Sequence, residues 1–167
     1  LTNVLSGPFA TLHLSLLGAE VIKIENPTDG DLARKLGNVP ELNEKLMGTS
    51  FLAQNANKKS VTLNLKEKEA KEIFLKLVKS ADVVVENFRP DVMARLGLGY
   101  KKLSEVNPKI VYCAISGFGA TGPDAMKPAY DQIIQGLSGV MAINGDERLN
   151  PLRAGFPVCD TVGGMNA

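Results

Sequence analysis

Asp160 stands alone in its stretch of chain. The residues before it, Gly155-Phe-Pro-Val-Cys159, are apolar, and those after it, Thr161-Val-Gly-Gly164, are small. An isolated carboxylate at the start of a helical pattern admits two readings. It can cap the helix by accepting hydrogen bonds from the first backbone amides. Alternatively, the positive end of the helix dipole keeps it ionised and nucleophilic, and its small neighbours leave room for a substrate.

Asn87-Phe-Arg-Pro90 directly follows an apolar run and leads into a helical pattern. Open α/β sheets bind ligands at such a place, beyond the carboxyl end of a strand and beside a helix N-terminus. An amide, an aromatic face and a cation suit a nucleotide or a pantetheine chain. The competing reading gives Asn87 a local backbone role and Phe88 a place in the core. Lys58, Lys59 and Lys66 surround the next-upstream strand pattern and could meet phosphates, although short basic clusters are usually solvated.

Gly117-Phe-Gly-Ala-Thr-Gly122 is a literal G-x-G-x-x-G after a strand pattern. A dinucleotide fingerprint needs a helix opening from the glycines, whereas Pro123-Asp-Ala-Met-Lys-Pro128 continues as loop. We therefore read a tight glycine loop, which can still line a site. His13 is the only histidine and lies inside a helical pattern, so it packs rather than catalyses. Cys113 and Cys159 have no partner at metal-ligand or Cys-x-x-Cys spacing, and no metal site is expected.

These groups need a scaffold, and the pattern supplies alternating helices and strands. Helices are expected from Pro8 to Leu17, Glu67 to Lys79, Pro90 to Leu96, Tyr100 to Val106, Asp131 to Leu137 and from about Asp160. The strands fall at 19–25, 60–65, 82–86 and 110–116. The helix over 67–79 puts Ala70, Ile73, Phe74, Leu77 and Val78 on one face. The run Asp82-Val-Val-Val-Glu86 reads as a strand covered on both faces. Residues 27–50 read as a long polar excursion with one short helix near Pro40 to Met47. Alternation of this kind predicts an α/β Rossmann-like architecture, a mainly parallel sheet with flanking helices and right-handed crossovers.

The chain has 167 residues, 44% of them hydrophobic, with 19 basic against 18 acidic side chains. One domain is expected, without the basic footprint of a nucleic-acid binder and without a membrane span. Well-separated cysteines fit a reducing compartment, the cytoplasm, or a mitochondrion in a eukaryote. A first residue other than Met and an unfinished last helix suggest a piece of a longer chain.

Six motifs in order now resemble one family. They are Leu5-Ser-Gly-Pro-Phe-Ala-Thr11, Leu17-Gly-Ala-Glu-Val-Ile-Lys-Ile-Glu25, Asn57-Lys-Lys-Ser-Val-Thr-Leu63, Val84-Val-Glu-Asn-Phe-Arg-Pro90, Arg95-Leu-Gly-Leu-Gly-Tyr100 and Ser116-Gly-Phe-Gly-Ala-Thr-Gly-Pro123. Together they resemble the class III CoA-transferases, the CaiB/BaiF family. The resemblance implies that residues 1–167 form part of a Rossmann-like large domain that binds coenzyme A and bears the catalytic residue. It further implies a smaller second domain lying outside this chain, and two interlocked subunits.

On this resemblance Asp160 is the catalytic nucleophile. Val4, Leu5, Ser6, Leu63, Lys66, Asn87, Phe88, Arg95 and Tyr130 match positions that meet coenzyme A. The substrates implied are an acyl-CoA and a carboxylic acid, with no permanently bound cofactor. An arginine common in the family is replaced by Asn26, which removes one expected nucleotide contact. A racemase branch of the family pairs a histidine with the aspartate. Tyr130 occupies the histidine's place, and a phenol, whose ordinary pKa is about 10, is a poor base at neutral pH. Transferase is thus the expected activity, with racemase or isomerase, a non-catalytic CoA- or nucleotide-binding module, and a dehydrogenase as alternatives.

Overall fold

The structure, a computed structural model, describes residues 1–167. Helix α1 (Ser6–Leu16) carries Pro8 in its first turn, where a missing N–H costs nothing, and stops before Gly18 at φ 100°. Strand β1 (Val21–Glu25) follows, then a 3₁₀ turn (Leu32–Lys35), α2 (Pro40–Glu44) and α3 (Thr49–Asn55). Next come β2 (Lys58–Thr62), α4 (Lys68–Val78), β3 (Val83–Glu86), α5 (Val92–Arg95), α6 (Tyr100–Val106) and β4 (Val111–Ala114). A loop then leads to α7 (Asp131–Leu137), α8 (Val140–Ile143) and α9 (Val158–Met165).

The α/β class expected from the sequence is the class observed. All strand pairing is parallel and grouped as two pairs. β1 pairs with β2 in the register Val21↔Lys58 to Glu25↔Thr62, and β3 with β4 in the register Val83↔Val111 to Glu86↔Ala114. An apolar groove of about 570 Å³ separates β1 from β3. Val83, expected to be covered, faces this groove and is 42% exposed, whereas Val84 beside it is buried.

The core gathers Ile24, Phe74, Val78, Val84, Met93, Leu98, Leu103 and Ile110, one or two from each neighbouring element. On α4, Ala70, Phe74 and Val78 are buried, but Ile73 is 45% exposed, so the apolar face is narrower than its sequence suggests. Truncating a residue such as Leu103 would cost roughly 2–5 kcal/mol in lost contacts and cavity.

Two charged residues of β1, Lys23 and Glu25, are buried. Burial of a charge is tolerable only with a partner, and the excursion over 27–50 supplies one for each. Lys23 Nζ donates to Asp31 at 2.7 Å and to the Thr2 carbonyl at 2.8 Å. Glu25 takes two hydrogen bonds at 2.7 Å from Arg34, one from the Asp31 amide and one from Ser60. Burial alone would raise the Glu25 carboxyl, but these donors outweigh it and bring the pKa down to about 2. The excursion, with α3 that follows it, is therefore an ordered strap: α2 falls where one short helix was expected, while the 3₁₀ turn and α3 were not expected.

Candidate functional site

The strap holds the first loop. Val4 has φ 64°, a costly conformation for a β-branched residue, which persists only where its surroundings enforce it. Its amide donates to Asp31 Oδ1 at 2.9 Å. The Gln54 amide, turned with its nitrogen toward the loop, donates to the carbonyls of Val4 and Leu5 at 3.2 and 3.1 Å. From the other side Asn87 clasps Asn3, accepting its N–H and donating to its carbonyl, each at 2.8 Å. The local backbone role considered for Asn87 is thus realised. It coincides with a place in the site, because Asn87 and Phe88 line the same cavity as Val4, Leu5 and Ser6.

That cavity has a volume of about 420 Å³ and is also lined by Arg89, Lys127, Tyr130 and Asp160. The glycine loop forms one wall through Gly117, Pro128 and Ala129. No helix opens at its glycines; the next begins at Asp131. Gly117 is required by close approach, since a Cβ there would sit 1.9 Å from that of Ala129.

Asp160 borders the cavity from the first turn of α9. Gly164 lets α9 close on α1, as a Cβ at this position would meet the Ser6 carbonyl at 2.5 Å. The cavity therefore touches the N-terminal ends of both α1 and α9, whose dipoles favour negative charge there. Asp160 does not cap its helix. The amides of Cys159 and Asp160 donate instead to Asp131 Oδ1, at 2.8 and 3.2 Å, and the Asp160 carboxylate accepts no hydrogen bond from the protein. Burial first, and the Asp131 charge second, raise the Asp160 pKa to about 6. The carboxylate still titrates below neutral pH, so its ionised form prevails at pH 7, and raised basicity is what a carboxylate nucleophile would need.

Cys159, next in sequence, also lines the cavity. Burial and the neighbouring Asp131 and Asp160 carboxylates push its thiol above the ordinary range, so thiolate is scarce at neutral pH. His13 lies on the exposed side of α1, edge-on to Phe9 at 4.5 Å, and does not line the cavity.

Of the ten residues singled out from the sequence, Val4, Leu5, Ser6, Asn87, Phe88, Tyr130 and Asp160 share one cavity. Three lie outside it. Leu63 packs against the core, Lys66 is exposed, and Arg95 forms a surface pair with Asp91 at 3.2 Å. Of the basic pair, Lys58 is half-buried beneath α1 and donates to the Pro8 carbonyl at 2.7 Å, while Lys59 pairs with Glu20 at the surface. Sequence reasoning missed Asp31, Gln54, Asp131 and Gln135. The last two had a legible signal, an acid and an amide four apart at the start of one helix. Gln135 is fully buried, and its amide donates to Asp131 at 2.6 Å and accepts from Ala154 at 2.8 Å.

The fold and this site are those of an α/β protein in which a carboxylate is offered to a ligand cavity, and the sequence assigns it a family. Residues 1–167 match CoA-transferase family III over their whole length, and the chain belongs to that family. It is 46% identical over 166 residues to the acetyl-CoA:oxalate CoA-transferase of Acetobacter aceti, covering 99% of this chain and 42% of that protein. It is 42% identical over 167 residues to the human succinyl-CoA:glutarate CoA-transferase, covering 100% of this chain and 37% of the relative. The chain thus spans about two-fifths of the length of these curated relatives. Among solved structures, a CaiB/BaiF family protein from Brucella suis superposes with a TM-score of 0.89 at 35% identity, over 99% of this chain and 45% of that one. The hypothetical protein Rv3272 from Mycobacterium tuberculosis superposes with a TM-score of 0.85 at 35% identity, over 97% and 44%.

Proposed function

We propose that this chain is the CoA-binding, nucleophile-bearing part of an enzyme that moves coenzyme A from an acyl-CoA to a carboxylic acid. The observation that carries this reading is the Asp160 carboxylate, free of protein hydrogen bonds and bordering the cavity. The relatives named above, CoA-transferases acting between carboxylic acids, support the reaction class.

The Asp160 oxygen attacks the acyl carbon of the donor thioester. The C–S bond breaks, and a mixed anhydride and the CoA thiolate result. The thiolate then attacks the Asp160 carbonyl, giving an aspartyl-CoA thioester and releasing the donor acid. The acceptor carboxylate opens that thioester to a second anhydride, expelling thiolate. Attack of the thiolate on the acceptor's acyl carbon yields the new acyl-CoA and restores Asp160. A carboxylate suits this sequence because its acyl derivatives stay activated, so the steps are nearly balanced in energy. The glycine loop restricts water at the reacting carbon.

A cavity of about 420 Å³ suits the acyl group and the reactive end of pantetheine, lined by Val4, Leu5, Ser6, Asn87, Phe88 and Tyr130. In this reading Leu63, Lys66 and Arg95 serve the nucleotide end, outside the cavity. The complete enzyme carries a second, smaller domain and works as an interlocked homodimer. A reducing compartment, the cytoplasm or a mitochondrion, suits the two free thiols. No helix is long and apolar enough to cross a membrane.

The test is CoA transfer by the full-length protein, with acetyl-CoA or succinyl-CoA as donor and oxalate or glutarate as acceptor. Asp160→Asn is expected to lose transfer by on the order of 10³-fold or more, with CoA affinity retained. Turnover at the wild-type rate in that variant would rule the mechanism out.

A further inference from the structure

We infer that Asp131 is a positioning residue for Asp160: it supplies the first-turn acceptor that Pro157, at the head of α9, lacks, and so fixes the turn that leaves the nucleophile's carboxylate free toward the cavity. The inference rests on the reading of Asp160 as nucleophile.

The first amides of a helix need acceptors, ordinarily from the N-cap side chain. In α9 the N-cap is Pro157, which offers none, and another helix provides one. Asp131 Oδ1, arriving from the start of α7, accepts from both Cys159 and Asp160. Its Oδ2 accepts from Gln135 at 2.6 Å, and Gln135, fully buried, binds the Ala154 amide with its oxygen. One carboxylate and one amide on a single helix thus fasten the segment from Ala154 to Asp160. Asp131 is also the only other carboxylate acting on Asp160, whose remaining ionisable neighbours around the cavity are Arg89, Lys127, Tyr130 and Cys159. Helix α1, packed against α9, carries only His13. Asp131 therefore fixes both where the nucleophile sits and how readily it ionises.

The experiment compares Asp131→Ala, Asp131→Asn and Asp160→Ala in the full-length protein, with circular dichroism to establish folding. Asp131→Ala is expected to lower kcat on the order of 10²-fold, the scale of a displaced reacting group, with KM for acyl-CoA changed less than about threefold. Asp131→Asn keeps an acceptor oxygen for the two amides while giving up the bond from Gln135, and is expected to recover kcat to within about tenfold of wild type. Because it lacks the charge, the acid limb of its kcat profile moves to lower pH. An unshifted acid limb in Asp131→Asn, or a wild-type kcat in folded Asp131→Ala, would overturn the inference. Should Asp131→Ala not fold, the limb of Asp131→Asn decides. Activity in Asp160→Ala would instead remove the underlying reading, whereas an inactive Asp160→Ala beside a fully active Asp131→Ala would remove only the role of Asp131.

Discussion

Asn3 and Asn87, 84 residues apart in sequence, exchange two hydrogen bonds of 2.8 Å: the Asn3 amide donates to the Asn87 side-chain oxygen, and the Asn87 side-chain nitrogen donates to the Asn3 carbonyl. This closed clasp ties the first loop to the end of β3 and fixes one corner of the cavity.

Opening the clasp strands a donor and an acceptor at once. Asn87→Ala is expected to destabilise the protein by about 1–3 kcal/mol, read from the urea midpoint. It is also expected to raise KM for acyl-CoA more than it lowers kcat, because the proposed function gives the loop a binding role and no part in the reaction. A variant with unchanged KM would separate the clasp from substrate binding.

Asp31 holds the same loop from below while neutralising Lys23, whose side chain is 3% exposed. Asp31→Ala leaves that ammonium with the Thr2 carbonyl alone. Removing one member of a buried pair typically costs about 3–5 kcal/mol, and a loss of that size in denaturant unfolding is expected. A change below about 1 kcal/mol would show that the pair is replaceable.

The Glu25–Arg34 contact sets an acid limit. The folded-state pKa of Glu25 is depressed to about 2, against about 4.3 for an unfolded glutamate. A depressed pKa means that the contribution is fully present above the unfolded value and is lost as pH falls through the folded one. The difference in urea midpoint between wild type and Arg34→Met is expected to be constant from pH 7 to about pH 5, then to shrink between about pH 4 and pH 2. A difference independent of pH would contradict this assignment.

Much of this architecture was legible because its elements carry their own periodicity. Tyr100–Val106 and Asp131–Leu137 begin and end where the pattern places them, and the four strands lie within a few residues of their apolar runs. The strap was not legible, since α3 and the 3₁₀ turn are short and held by tertiary bonds such as those of Asp31 and Gln54. Nor was the burial of Lys23 and Glu25, because charged residues default to the surface until partners are known. At Asp160 the local pattern left both readings open and favoured the cap over the nucleophile. What rules out the cap is the start of α9 after Pro157 and the bonds of its amides to Asp131, 29 positions from Asp160.

Covalent capture tests the central claim most directly: the full-length protein is incubated with acetyl-CoA, succinyl-CoA and related acyl-CoAs, with and without hydroxylamine, and digested for mass spectrometry. The account predicts a CoA or acyl adduct on the peptide bearing Asp160, converted by hydroxylamine to the aspartyl hydroxamate and absent from Asp160→Asn. Acceptor acids converted to their CoA thioesters with no adduct or hydroxamate at Asp160, or with either on another residue, would contradict it.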